Sequence, residues 1–353
     1  MNTFTKISKS FLLTALMVFG VLVAQAQDEE GPALSFTGSV DTYYRANLNS
    51  TNDATNGGTI APGSSFANQP GFALGMVNLV TGLDGENSGF VADLVFGPRG
   101  TDAVFGSTTA SSSIVNQLYA YWNVSESVTL TIGNFNTFLG YEVISPTANF
   151  NYSTSYMFSY GPFSHSGLKA DIALGDASLM LGVLNPTDFT DFNPDGTYLA
   201  GIQFGIAGQY FNALLGDGYT QLDFTGGFDL SDATYLGINA TYNKDLFNGA
   251  AIYLQQSFSD DFSLGLRGEW FSDEGIGALP FVDTDFDGVV DAGFVAPGSV
   301  IDLTVSANYS VGALTFIPEL RVDLHDEDAI VPEAGETPTS SLASFVLAAV
   351  YSF

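Results

Sequence analysis

The chain has 353 residues, 38 Asp plus Glu against 8 Lys plus Arg, a formal charge of −30 and no cysteine. An acid excess of that size argues against nucleic acid as a partner, and the missing thiol excludes disulfides, lipid-modified cysteine and thiol chemistry. With charged residues at 13% and aromatics at 14%, the chain is too apolar for disorder, yet it holds no run of about 18 apolar residues for a helical membrane span.

The first element is FLLTALMVFGVLVA, residues 11–24, preceded by Lys6 and Lys9 and followed by Ala24-Gln25-Ala26. A basic start, a short apolar stretch and a small-x-small site predict a secretory signal peptide over 1–26. Removing it leaves 27–353 as one domain with six basic residues against 38 acidic ones, a net −32.

From there the sequence alternates with a period of two. In SFTGSVDTYYRAN (35–47), Phe36, Val40 and Tyr44 oppose Thr37, Ser39, Asp41 and Arg45. FSLGLRGEW (262–270) sets Leu264, Leu266 and Trp270 against Arg267 and Glu269, and IDLTVSANY (301–309) repeats the split. LTFIPELRVDL (314–324) opposes Leu320 and Leu324 to Glu319, Arg321 and Asp323. The last ten residues, SFVLAAVYSF, carry Phe345, Leu347, Ala349, Tyr351 and Phe353 on one face. These are strands of a one-sided sheet.

A soluble sandwich would turn the apolar face inward, whereas a membrane barrel turns it toward lipid and its polar face toward a wet lumen. The connections favour the barrel. Short ones fall near Asp84–Ser88, Ser125–Ser127, Gly175-Asp176, Leu230–Asp232, Ser259–Asp261 and Val311-Gly312, and long ones cover about 49–70, 99–113, 136–163, 186–197, 243–248, 273–299 and 325–340. Short periplasmic turns alternating with longer external loops mark outer-membrane barrels. If Tyr198–Gly216 holds two strands, every short turn falls on the periplasmic side. That predicts an all-β, transmembrane, antiparallel up-and-down barrel of about 16 strands, with 14 or 18 as neighbouring counts.

GSVDTYY (38–44), NQLYAYWNVSESVTLTIGNFNTFLGYE (116–142) and NYSTSYMFSYGPFSHSGLKA (151–170) resemble the OmpL-like β-barrel porins of diderm bacteria across the chain. The last strand, ending on Phe353, is similar to the C-terminal signal by which such barrels engage the barrel-assembly machinery. The resemblance implies a porin in the cell outer membrane, with outer-membrane lipid around it; a homo-oligomer stays open.

Three groups of residues are candidates for function. Asp41, Arg45, Lys169, Asp171, Arg267, Glu269, Glu319, Arg321 and Asp323 occupy the polar parity and are expected to line a pore, where charged rings set selectivity; bracing of the wall by ion pairs is the plainer reading. The segment 136–164, with Tyr141, Glu142, Tyr152 and Tyr156, is expected to fold inward as a constriction, because long loops without secondary structure are usually functional and its aromatics are unusual for a solvated loop; an external cap or an aromatic girdle at the interface is the plainer reading. In DTDFDGVVD (283–291), Asp283, Asp285, Asp287 and Asp291 match calcium-loop positions 1, 3, 5 and 9, but Phe294 stands where the bidentate Glu would be. That implies weak external Ca2+ binding, about 10⁻⁴ to 10⁻³ M, or a solvated acidic loop. No cofactor is required.

Catalysis has little to rest on, since His165 and His325 stand far apart and no acid is spaced to orient His165; a barrel-embedded lipid hydrolase with a Ser and His pair is a remote alternative. The reading is a passive, cation-preferring channel for small hydrophilic solutes. The alternatives are a non-conducting barrel with a structural or surface-binding role and, more remotely, a secreted all-β binding protein.

Overall fold

A computed structural model describes residues 33–55, 57–64, 66–279 and 298–353. Sixteen antiparallel strands close into one barrel, each paired with its chain neighbours and the first with the last. They are β1 (Leu34–Asn47), β2 (Gly71–Asp84), β3 (Ser88–Phe96), β4 (Val115–Ser125), β5 (Val128–Asn136), β6 (Ser164–Leu174), β7 (Ala177–Leu184) and β8 (Leu199–Ile206). The second half comprises β9 (Gln209–Gly216), β10 (Tyr219–Ser231), β11 (Thr234–Asn243), β12 (Phe247–Ser259), β13 (Phe262–Asp273), β14 (Gly298–Val311), β15 (Leu314–His325) and β16 (Ser341–Ser352).

Tyr198–Gly216 does hold two strands, β8 and β9, joined by a tight turn at Ala207-Gly208. All the turns on the rim where β1 begins are short. The opposite rim carries the long connections 48–70, 97–114, 137–163, 185–198 and 326–340, but also two short ones, 217–218 and 244–246. Asp217-Gly218 is a two-residue hairpin turn with Gly218 at φ 74°, a left-handed backbone that glycine adopts without steric cost. External loops are therefore not uniformly long.

Period-two alternation places one parity outside. Phe72, Leu74, Ile132 and Ile252 are exposed there, and lipid is the solvent that fits them. Aromatic residues gather at both rims of this band: Phe36, Trp122, Phe211, Phe258, Tyr309 and Tyr351 toward the short-turn end, and Phe72, Tyr198, Tyr242 and Trp270 toward the loop end. Such girdles sit where hydrocarbon meets headgroups.

The inward parity is less uniform than a water-filled barrel requires. Val346, Ala348 and Val350 of β16 point inside and pack with Tyr43, Tyr152 and Ile317, while Leu184, Leu199 and Leu214 pack with Phe135 and Leu139. Apolar side chains are tolerated inside because a loop covers them.

Candidate functional site

Loop 137–163 leaves β5 and runs along the inside of the barrel before returning to β6. Backbone inside a lumen needs partners for its N–H and C=O groups, and the wall, joined by Glu142 of the loop itself and Arg99 of connection 97–114, supplies both kinds. Carboxylates take the amides: Glu319 accepts from Tyr152 N at 2.8 Å and Ser153 N at 3.1 Å, Glu142 from Ser155 N at 2.7 Å, and Glu269 from Tyr156 N and Met157 N, both at 2.7 Å. Guanidiniums take the carbonyls: Arg99 donates to Tyr152 O at 2.6 Å, Arg267 to Ser153 O at 2.6 Å and Arg321 to Thr154 O at 2.7 Å. The stretch 152–157 is thus held by arginines on one side of its backbone and acids on the other.

These charges form one connected network. Arg267 pairs with Glu142 and with Asp302, each at 2.8 Å, and Arg321 pairs with Asp323 at 2.7 Å and Asp302 at 3.4 Å. Asp302, wholly buried on β14, is the bridge between the two arginines. On β1, Asp41 accepts from Met76 N at 3.0 Å and from the Tyr152 hydroxyl at 2.6 Å. Gly75 beside it must lack a side chain, since a Cβ there would stand 1.6 Å from an Asp41 carboxylate oxygen. Arg45 donates to Ile60 O.

All nine residues expected to line a pore do face inward, but only two meet open space. Asp41, Arg45, Arg267, Glu269, Glu319, Arg321 and Asp323 are at most 6% exposed, because loop 137–163 lies on top of them and, at Arg45, connection 48–70 does so through Ile60 O. Lys169 and Asp171 border a cavity of about 1090 Å³ and pair at 2.9 Å, and the Lys169 ammonium also sits over the Phe135 ring at 5.1 Å. Of the loop residues singled out, Tyr141 and Glu142 reach this cavity, whereas Tyr152 and Tyr156 are fully buried against the wall. Asp302 was missed among the candidate residues, although its place on the polar parity of β14 was the signal for it. Arg99, Ser153 and Thr154 had no such signal, since their contacts exist only once loop 137–163 meets the wall or another loop.

The cavity lies between the loop's outer edge, Phe138–Asn151, and the wall from β6 to β12. Its wall has an unusual surface. A Cβ at Gly205 would stand 2.8 Å from the Tyr210 ring, one at Gly227 2.3 Å from Tyr235 Cζ, and one at Gly237 2.6 Å from Tyr141 Cζ. Bare inward glycines are thus overlaid by tyrosine rings. Tyr141 also stacks on Tyr253, with centroids 4.2 Å apart and planes 17° apart.

Outside the strands, Asp188 anchors the loop's end by accepting from Phe163 N at 2.7 Å and Ser164 N at 3.0 Å. Burial pushes its carboxyl up to about 6, against the pull of those two amides. Three exposed loop acids go the other way. Ser112 and Thr108 hydroxyls hold the Asp191 carboxyl below its usual range, Thr55 does so for Asp53, and Thr197 for Asp195. Asp273 is 1% exposed and caps the amides of Gly275, Ile276 and Ala278, so it does not display charge at the rim. His165 is buried, with Nε2 2.9 Å from the Thr137 hydroxyl. The calcium-like residues Asp283, Asp285, Asp287 and Asp291, like the leader segment 1–26, lie outside the described residues.

Comparison with known proteins matches this architecture. No curated protein sequence matches the chain. The outer-membrane channel DcaP of Acinetobacter baumannii superposes with a TM-score of 0.56 at 14% identity, over 94% of this chain and 100% of that one. OmpF of Salmonella typhi, in complex with daunomycin, gives 0.57 at 10% identity, over 93% and 100%. OmpT of Vibrio cholerae, folded in vitro and in trimer form, gives 0.53 at 10% identity, over 92% and 100%. At these identities the likeness is one of fold. Residues 33–353 match the family described as "Putative beta-barrel porin-2, OmpL-like". A closed sixteen-stranded barrel with an inward loop and a sequence that fits this family over nearly its whole length belongs to the OmpL-like β-barrel porins.

Proposed function

We propose that the protein is an outer-membrane channel for passive diffusion of small hydrophilic solutes and that it prefers cations. The observation that carries the preference is where the positive charge lies. Of the six basic residues after position 26, the arginines Arg45, Arg99, Arg267 and Arg321 are at most 2% exposed. Lys169 is neutralised by Asp171, and Lys244 pairs with Asp245 at 3.7 Å on the rim. The exposed acids Asp53, Asp191, Asp195, Glu274, Asp326, Glu327 and Asp328 surround the loop end with little to oppose them. A mouth of one charge sign concentrates counterions.

Reversal potentials in a KCl gradient test this. K+ should permeate better than Cl− at low salt, and the preference should fade toward 1 M, where the Debye length is about 3 Å. Asp53, Asp191 and Asp195 stay charged at lower pH than ordinary carboxylates because their hydrogen bonds favour the ionised form. The preference should therefore persist from pH 7 to pH 5. Anion preference at low salt would refute the reading.

The non-conducting barrel has an observation of its own. Phe66, Met76, Val95, Ile144, Phe158 and Phe163 form an apolar cluster inside the loop end, and similar clusters flank loop 137–163. Purified protein that inserts into bilayers without conductance steps would favour it. The trimer form recorded for V. cholerae OmpT makes a homo-oligomer the natural assembly to look for by native electrophoresis.

A further inference from the structure

We infer that the cavity beneath loop 137–163 is a binding subsite for organic cations, an ammonium group carried on an apolar body. The inference rests on the channel reading and says what that channel retains on the way through.

The wall provides the first half of the recognition. Tyr210 and Tyr235 border the cavity and lie over inward glycines of neighbouring strands. The hydroxyl end of Tyr235 and one edge of Tyr210 lie against those glycines, and both aromatic side chains border the cavity. Ring faces are electron-rich and attract ammonium groups, most strongly where water is partly excluded. They also offer apolar area to the body that carries the charge.

A carboxylate provides the second half. Asp229 stands directly opposite Tyr235 in the β10–β11 register and borders the same cavity. Among the described residues it has no ion pair and no side-chain hydrogen bond, unlike Asp171, which is held by Lys169. Its neighbours Gln255, opposite Tyr235 on β12, and Thr225, opposite Tyr210, are neutral. The cavity therefore holds one uncompensated negative charge beside tyrosine side chains.

That combination selects within the cations. A bare metal ion needs several oxygen ligands at once, and no group of three or more His, Cys, Asp or Glu that could hold one occurs among the described residues. A substituted ammonium needs only one carboxylate and an aromatic face. Asp229 and Gly208 lie close to the short-turn rim, so the subsite is on the periplasmic side of the loop.

The test uses the purified barrel in detergent, with choline as the probe and its neutral tert-butyl analogue as the control. Saturation-transfer NMR reads binding without requiring conduction, and single-channel recording with choline added to the short-turn side reads block. Choline should bind in the millimolar range and the analogue about fivefold more weakly or worse. Tyr235→Ala and Asp229→Asn should each weaken choline binding by about fivefold while leaving the heat-modifiable fold intact. Equal binding of the analogue, or of a neutral hexose, would mean an apolar or hydroxylated-solute site and overturn the inference. Normal conductance with no choline binding would overturn it while leaving the channel standing. Binding without any conductance would instead remove the channel reading on which it rests.

Discussion

Replacing Asp302 by Asn should release loop 137–163 from the wall and destabilise the protein by about 3–5 kcal/mol. Asp302 accepts from Arg267 Nε at 3.0 Å, pairs with its Nη2 at 2.8 Å and with Arg321 Nη2 at 3.4 Å, and takes the Thr304 hydroxyl at 2.6 Å. It is fully buried. An amide of the same shape keeps the volume but leaves two buried guanidiniums short of a counter-charge. The cost of an unpaired buried charge far exceeds the gain from pairing it, so loss of one partner should be felt strongly. The barrel itself should survive, because its strand ladders do not pass through this network. The expected signature is a lower unfolding midpoint with the heat-modifiable barrel retained, new protease cleavage near Asn149–Tyr156, and larger, noisier conductance steps. Glu142→Gln removes one partner of Arg267 but spares Arg321 and should do less. A loop that stays protected in Asp302→Asn would mean that its tyrosine packing, not the ion network, holds it.

That network marks how far the sequence could be read. Alternation identifies which residues face inward, because a strand's side chains must alternate, and Asp41, Arg45, Lys169, Arg267, Glu319 and Arg321 all do. It does not say what covers them. Whether Arg267 meets water or Ser153 O depends on the path of a loop more than a hundred residues away in sequence, and no periodic signal records that path. The same holds for Val346, Ala348 and Val350, whose apolar character makes sense only once Tyr152 and Ile317 lie against them. The pairing of β8 with β9 was legible because the alternation of turn lengths required it. The short external hairpin at Asp217-Gly218 was not foreseen, although Asp-Gly is a hairpin signal in itself.

Replacing Phe353 by Asp should lower the amount of assembled barrel in the outer membrane more than any other single change considered, without reducing export across the inner membrane. Phe353 closes the seam. Its N–H donates to Gly38 O and its carbonyl accepts from Gly38 N, both at 2.9 Å, and its ring lies 6.1 Å from that of Phe36. The ring also fills the place of a missing side chain, since a Cβ on Gly38 would be 2.6 Å from Phe353 Cζ. A carboxylate there would lose the ring's contacts with Phe36 and Gly38, while the charge itself costs little at the membrane interface. It would also remove the apolar terminus that resembles an assembly signal. The two effects can be separated with Gly38→Val, which crowds the ring and weakens the β1–β16 seam while leaving the terminal aromatic in the sequence. If recognition by the assembly machinery dominates, Phe353→Asp should leave unassembled protein in the periplasm, whereas Gly38→Val should still reach the membrane and melt at lower temperature. If closure dominates, the two variants should fail alike. Wild-type levels of heat-modifiable barrel in Phe353→Asp would rule out both roles for the residue.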